Sequence, residues 1–190
     1  SSDLTARQVI RDVSFDVREG EVVGIAGLMG SGRTELAMSI FGRSYGQDAR
    51  GKVRLRGKEI DTSTVTAAID SGLAYVTEDR KGLGLLLEES VMRNTTLSAL
   101  QKVSSNAVID RAEERQVAER YREALRIRTP SVFQDVVNLS GGNQQKVVLA
   151  KWLFTEPDVL ILDEPTRGID VGAKFEIYAI INQLVAEGRG

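Results

Sequence analysis

Eight consecutive residues, Gly27-Leu28-Met29-Gly30-Ser31-Gly32-Arg33-Thr34, have the types and spacing to hold a phosphate group. They follow the pattern G-x-x-x-x-G-K-[S/T], with both end glycines and the hydroxyl residue in place. Glycines let the backbone curl until the N–H groups around Gly30, Ser31 and Gly32 converge on one anion. A helix that starts there puts its positive end behind them. Thr34 is placed to ligate Mg²⁺ through its hydroxyl. Arg33 stands where the pattern has lysine. It keeps a positive charge near the β- and γ-phosphates, but its planar fork is bulkier than an ammonium and is not a neutral replacement. An ordinary glycine-rich turn has the same composition, so the loop needs support from elsewhere in the chain.

That support comes from Val159-Leu160-Ile161-Leu162-Asp163-Glu164. A hydrophobic strand ending in two acids sets carboxylates at the C-terminal edge of a sheet, where open α/β sheets bind ligands. Asp163 would hold Mg²⁺, directly or through water. Glu164 would polarise an attacking water as general base. A third element is Leu139-Ser140-Gly141-Gly142-Asn143-Gln144-Gln145. Ser140 suits a helix N-cap, and Gly141 and Gly142 expose N–H groups as another anion site. One loop already serves a triphosphate, so a second phosphate-reading helix start suggests a site shared between two domains.

These groups need a scaffold of strands and helices. Val13–Val17 alternates as a half-exposed strand, and Glu21–Ala26 reads as a buried strand leading into the glycine loop. Glu35–Phe41 reads as a helix with Leu36, Ile40 and Phe41 inward, stopped by Gly42. Lys52–Leu55 and Lys58–Ile60 form a small antiparallel pair around Gly57. Val65–Ile69 is a short helix before Gly72, and Leu73–Val76 a core strand. Residues 82–105 are loop-rich. Helices follow over Asp110–Ile127 (Val117, Tyr121 and Leu125 inward), within Asn138–Phe154, and over Gly172–Ala186 (Phe175, Tyr178, Ile181 and Val185 on one face), with a third buried strand at Asp158–Leu162. The alternation predicts an α/β fold with a mostly parallel sheet, a small antiparallel β subdomain and a helical lobe over about 83–150. The whole of 1–190 reads as one domain. The charged helix Asp110–Arg128 reads as a solvated face laced with i,i+4 pairs.

Composition narrows the function classes. At 190 residues the chain is long enough to bury a core without covalent staples. It has no cysteine and no histidine, which excludes disulfides, thiolate metal sites and imidazole chemistry. A net charge of -2 gives no electrostatic reason to expect nucleic acid. No apolar run approaches a membrane span, and no secretory signal pattern opens the sequence. Ser1 at the start and Glu187–Gly190 at the end of a helix read as the limits of a piece of something longer.

At Leu139–Gln145 and Asp163-Glu164-Pro165-Thr166 the sequence resembles the signature motif and the Walker B segment of ATP-binding-cassette ATPases. Gly168-Ile169-Asp170 sits where their D-loop lies. A narrower resemblance rests on Gly32–Glu35, Thr77-Glu78-Asp79-Arg80-Lys81, Leu139–Lys146 and Asp163–Lys174 occurring together. It is to the second, C-terminal cassette of bacterial monosaccharide importers of the ribose, galactose and xylose type. The resemblance implies a P-loop cassette that uses ATP and Mg²⁺ and powers sugar import. It implies as partners an N-terminal cassette in the same polypeptide, a transmembrane permease and, indirectly, a periplasmic sugar-binding protein. It also implies a peripheral location on the cytoplasmic side of the bacterial inner membrane. The similarity leans towards xylose or several monosaccharides.

Several positions depart from the family's pattern. Besides Arg33, Glu78 occupies the Q-loop glutamine position; its carboxylate could touch Mg²⁺ or water but would repel phosphate oxygens. The adenine-stacking aromatic expected within roughly the first ten residues is missing, and there is no switch histidine. Second cassettes of such importers commonly have an altered nucleotide site. In a head-to-tail pair, Ser140–Gln145 would therefore complete the N-terminal cassette's site. The alternative reading is a degenerate, non-hydrolysing half, favoured by Arg33, Glu78 and the missing aromatic and opposed by Glu164. A DNA-repair or translation cassette fits poorly, because Glu78 and Leu139 lie too close for the long coiled coil of the repair enzymes. Leu83, Leu85, Leu86, Leu87, Val91 and Met92 are candidates for a permease-docking surface or, for most of them, the core of the helical lobe.

Overall fold

The computed structural model describes residues 10–28, 30–44 and 49–190. Its centre is a pair of parallel strands, β3 (Leu73–Val76) and β6 (Val159–Leu162), in register from Leu73 opposite Val159 to Val76 opposite Leu162. Before β3 come helix α1 (Arg33–Ile40), the hairpin β1 (Arg54–Leu55) and β2 (Lys58–Glu59), and helix α2 (Val65–Asp70). The hairpin turns on Arg56 and Gly57, both at positive φ (50° and 78°), the two-residue geometry that matches strand twist. Thr64 caps α2 by accepting from the Ala67 N–H at 3.1 Å.

After β3, a wide helical turn over Arg80–Gly84 leads to α3 (Val91–Thr96) and a 3₁₀ stretch, Leu97–Val103. A second hairpin, β4 (Ser104–Ser105) with β5 (Val108–Ile109), precedes α4 (Arg111–Ala124). Then come α5 (Gly141–Leu153), β6 and α6 (Val171–Ala186). Asp110 and Asp170 cap α4 and α6 by accepting backbone N–H bonds in the first turn. Among the described residues, no helix is long and apolar enough to cross a membrane.

Helix α5 is the hub. Every residue from Gln144 to Leu153 is buried, because β3, α3, α6 and the Arg80–Gly84 turn pack around it. Burying such a helix leaves Gln145 Nε2 and Trp152 Nε1 without a partner among the described residues, but its two lysines are satisfied. Lys146 pairs with Glu176 of α6 at 2.7 Å and donates to the Arg126 carbonyl at 2.9 Å. Lys151 donates to the Gly84 carbonyl at 2.6 Å. The core joins Phe41, Tyr75, Val76, Leu149, Trp152 and Ile177, with the Phe41 ring edge-on to Trp152 at 5.4 Å.

Several sequence expectations are corrected. Val13–Val17 and Glu21–Ala26 form no strand. Val13, Phe15, Val22, Val23 and Ile25 stand exposed, because a strand needs a neighbour to pair with its backbone and no described residue supplies one. On α6 the buried face centres on Ile177, with Ile180, Ile181 and Leu184 packed beside it, while Phe175 and Tyr178 are exposed. That helix is apolar around much of its circumference, so periodicity alone did not choose the face; contact with α5 did. On α4 the ion pairs are i,i+3 rather than i,i+4, and Glu114 is fully buried, accepting from Thr96 at 3.0 Å and Arg111 at 2.8 Å. Of the leucine-rich stretch, Leu85, Val91 and Met92 are core and Leu87 packs against it, whereas Leu83 and Leu86 are exposed.

Candidate functional site

Parallel pairing of β3 with β6 brings their C-terminal ends to one edge, and the Asp163 N–H donates to the Val76 carbonyl at 2.9 Å. Thr77 and Glu78 therefore leave the sheet beside Asp163 and Glu164. Asp163 is buried, and its carboxylate accepts from the Tyr75 hydroxyl at 3.0 Å. Burial, then the Asp163 charge, raise the Tyr75 phenol well above its ordinary value. It therefore stays a protonated donor at neutral pH. Glu164 follows with φ +46°, in the left-handed region that a non-glycine residue rarely adopts.

The glycine loop meets this edge through Arg33. The guanidinium donates to the Gly27 carbonyl and lies 3.3 Å from the Glu164 carboxylate. Gly30 and Gly32 have positive φ (78° and 91°), and a Cβ at Gly27 would fall 2.5 Å from the Ser31 hydroxyl. A side chain at any of these positions would strain or block the loop. Gly32 precedes α1 without a side-chain cap, so its first-turn amides are not taken by a capping oxygen. Thr34 lies in that first turn, half-buried. Met29 and residues 1–9, where an adenine-stacking aromatic was sought, lie outside the described residues.

Within the loop the Ser31 N–H is given to the Leu28 carbonyl at 3.0 Å, so an anion would draw on the uncapped first-turn amides of α1. With a cation at the rim and a buried carboxylate nearby, they form a donor set that fits a magnesium-bound triphosphate. Among the described residues, no group of three acidic or other ligating side chains could hold a metal by itself. An ion at Asp163 and Thr34 would therefore draw on phosphate oxygens for its other ligands.

Glu78 does not point into open space. It forms an ion pair with Arg167 at 2.6 Å, so its charge is compensated and repels a phosphate less than its sequence position implied. Ser140 is exposed at the start of α5 but makes no capping bond; its hydroxyl accepts from the Asn143 amide at 2.9 Å. Gly141 packs against the loop after β6 and Gly142 against the first turn of α6. A Cβ on Gly141 would lie 3.3 Å from the Gly168 carbonyl, and one on Gly142 would lie 2.5 Å from Cβ of Ala173. Of the predicted residues, Arg33 of the glycine loop thus meets Glu164 beside Asp163, while Glu78, Gly141 and Gly142 meet residues 167–173, the loop after β6 and the start of α6. Tyr75, Arg80 and Arg167 were not predicted. Tyr75 carried a signal, a hydroxyl inside an apolar strand, and Arg80 lay within a motif already noted.

An ABC transporter family model matches residues 10–167. The L-arabinose transport ATP-binding protein AraG of Geobacillus stearothermophilus is 61% identical, over 97% of this chain and 36% of that protein. The xylose import ATP-binding protein XylG of Geobacillus kaustophilus is 54% identical, over 99% of this chain and 37% of that protein. The ribose import ATP-binding protein RbsA of Clostridium perfringens is 48% identical, over 98% and 37%. The chain therefore spans little more than a third of the length of these relatives. Among solved structures, a nucleotide-free ATP-binding cassette from an ABC transporter superposes with a TM-score of 0.75 at 22% identity, over 95% of this chain and 72% of that one. A dimeric cassette bound to ADP and Pi superposes with 0.75 at 20% identity, over 95% and 77%. At such identities the structures speak for the P-loop α/β fold.

Proposed function

The chain belongs to the ABC transporter family of ATP-binding cassettes, and from that premise we propose that it is an energy-coupling ATPase domain of a bacterial monosaccharide importer. The nucleotide's phosphates lie against Gly27, Gly30, Ser31, Gly32 and Arg33. Mg²⁺ is held by Thr34 and Asp163, and Glu164 polarises the attacking water. The observation that carries this reading is the Arg33–Glu164 contact, which joins the end of the phosphate loop to the end of β6. When bound, Mg²⁺ neutralises phosphate charge; the chain's own residues position and polarise.

Ser140, Gly141 and Gly142 serve a different nucleotide, that of a second cassette in the same polypeptide, placed head to tail. Glu78, paired with Arg167, borders the nucleotide site. The assembly works at the cytoplasmic face of the plasma membrane with a permease and a periplasmic sugar-binding protein. Its cargo is a monosaccharide of the class named for the relatives. The non-hydrolysing alternative draws no support from those relatives.

Two measurements test the reading. ATP titrated onto the chain with and without Mg²⁺ should bind, more tightly with the metal; no binding at millimolar nucleotide would remove the claim on Gly27–Thr34. In the assembled importer, Ser140→Ala should cost more ATPase activity than Glu164→Gln, because Arg33 in place of lysine makes the site that Glu164 serves the slower of the two, whereas Ser140 serves the partner's. Equal losses would count against two unequal sites.

A further inference from the structure

The motif Thr77-Glu78-Asp79-Arg80 is spent, residue by residue, on one piece of geometry. The Thr77 hydroxyl accepts from the Asp79 N–H at 3.2 Å, and the Asp79 carboxylate caps the following turn by accepting from the Gly82 N–H at 2.9 Å. Glu78 pairs with Arg167 at 2.6 Å. Arg80, fixed between them, donates to the Arg167 carbonyl at 2.8 Å, the Gly168 carbonyl at 3.2 Å and, through Nε, the Gln144 side chain at 3.4 Å. Its partners lie 64 to 88 residues away in sequence and belong to two elements, the loop after β6 and the first turns of α5.

We propose that Arg80 is a positioning residue that clasps the signature helix start to the loop 167–170, so that both are presented as one rigid surface to a second cassette's nucleotide. The inference rests on the shared-site reading of Ser140–Gly142 given above. Only a guanidinium has a planar fork that can reach two consecutive carbonyls and a side-chain amide at once; an ammonium acts as a point charge. The glycines fit the clasp as well as any phosphate. A Cβ at Gly141 would stand 2.9 Å from an Arg80 nitrogen, so any side chain there would push the guanidinium off its carbonyls. Arg80 also sets a positive charge beside the positive end of α5, an arrangement that works against helix stability and in favour of an approaching anion.

The test uses the assembled importer carrying Arg80→Lys, which keeps the charge and the aliphatic stem, and Arg80→Ala. Both variants should lower kcat for ATP hydrolysis at least tenfold while KM for ATP stays within twofold. Amide hydrogen exchange should rise together at 140–144 and 166–172. Turnover within twofold of the native assembly in Arg80→Lys, or exchange that rises in only one of the two segments, would overturn the proposal. Ser140→Ala, measured alongside, separates the two ideas. Full turnover in that variant sinks the shared-site reading and the role of Arg80 with it. Loss there with full turnover in Arg80→Lys sinks only the present inference.

Discussion

The Arg33 guanidinium lies 3.3 Å from the Glu164 carboxylate while also donating to the Gly27 carbonyl, so one side chain closes the phosphate loop onto the end of β6. Glu164 is about half exposed (49%), and an ion pair at that exposure adds little to stability. The pair is therefore free to exchange one anion for another. Arg33→Ala should weaken ATP affinity about tenfold or more, the scale of a lost charge-assisted hydrogen bond. The melting temperature should hardly move. Titration with a fluorescent nucleotide measures this, and native-like affinity in the variant would show that Arg33 does not face the phosphates.

Tyr75 and Asp163 make the opposite kind of contact, buried on both sides. Tyr75→Phe leaves a buried carboxylate oxygen without this donor, at a cost of about 1–3 kcal/mol. The loss should appear as a lower melting temperature without nucleotide. It should shrink when MgATP is added, since the metal then supplies the charge that Asp163 lacks. An equal deficit with and without MgATP would place Asp163 outside the metal site.

Much of this was legible in the sequence, and what was missed has physical causes. Helix α4 was readable because Val117, Tyr121 and Leu125 repeat with helical period. Helices α2 and α6 were readable as helices, although the face read for α6 was not the one buried; the caps at Thr64 and Asp170 were left unread. Strands β3 and β6 were readable as short apolar runs. The stretch 82–105 was opaque because α3 is buried nearly all round. Thr95 and Thr96 turn their hydroxyls to carbonyls one turn back, and Asn94 bonds the Leu86 carbonyl and N–H, so no polar face is left to set a period. The phosphate loop and the acid pair were visible as local patterns. The Arg80 clasp was not, since its meaning lies in carbonyls far along the chain that carry no side-chain signature.

The two signature glycines should respond differently to a methyl group. At Gly142 the new Cβ would sit 2.5 Å from Cβ of Ala173, on a helix anchored by the Lys146–Glu176 pair, so something in the α5–α6 packing must shift. At Gly141 the closest atom, at 2.9 Å, is the tip of Arg80, which can swing away. Gly142→Ala should therefore destabilise by about 1–3 kcal/mol, the usual range for overpacking. Gly141→Ala should cost less stability while still loosening the clasp. Urea unfolding of both variants decides it, and a larger loss at Gly141 would mean that Arg80 cannot move.

Lys151 supplies a pH test of the core. Its ammonium lies buried in the last turn of α5, 4.9 Å from the Trp152 ring centroid and bonded to the Gly84 carbonyl, and burial lowers its pKa from 10.5 to about 8. Below pH 8 the side chain is charged in both the folded and unfolded chain, and the cost of burying that charge is present in full. Between 8 and 10.5 the unfolded chain binds more protons than the folded one, so stability must rise with pH. The gain from pH 7.5 to 9.5 should be on the order of 1–2 kcal/mol. Tyr75 and Tyr121, whose phenols are raised by burial, act in the opposite direction, but only near and above their ordinary value of 10. Lys151→Met, similar in length and unable to titrate, removes the effect at its source. Unfolding free energies of the two proteins, measured by urea at pH 7.5 and 9.5, should therefore diverge in slope. Parallel values would mean that Lys151 keeps an ordinary pKa and that water reaches it in the folded chain.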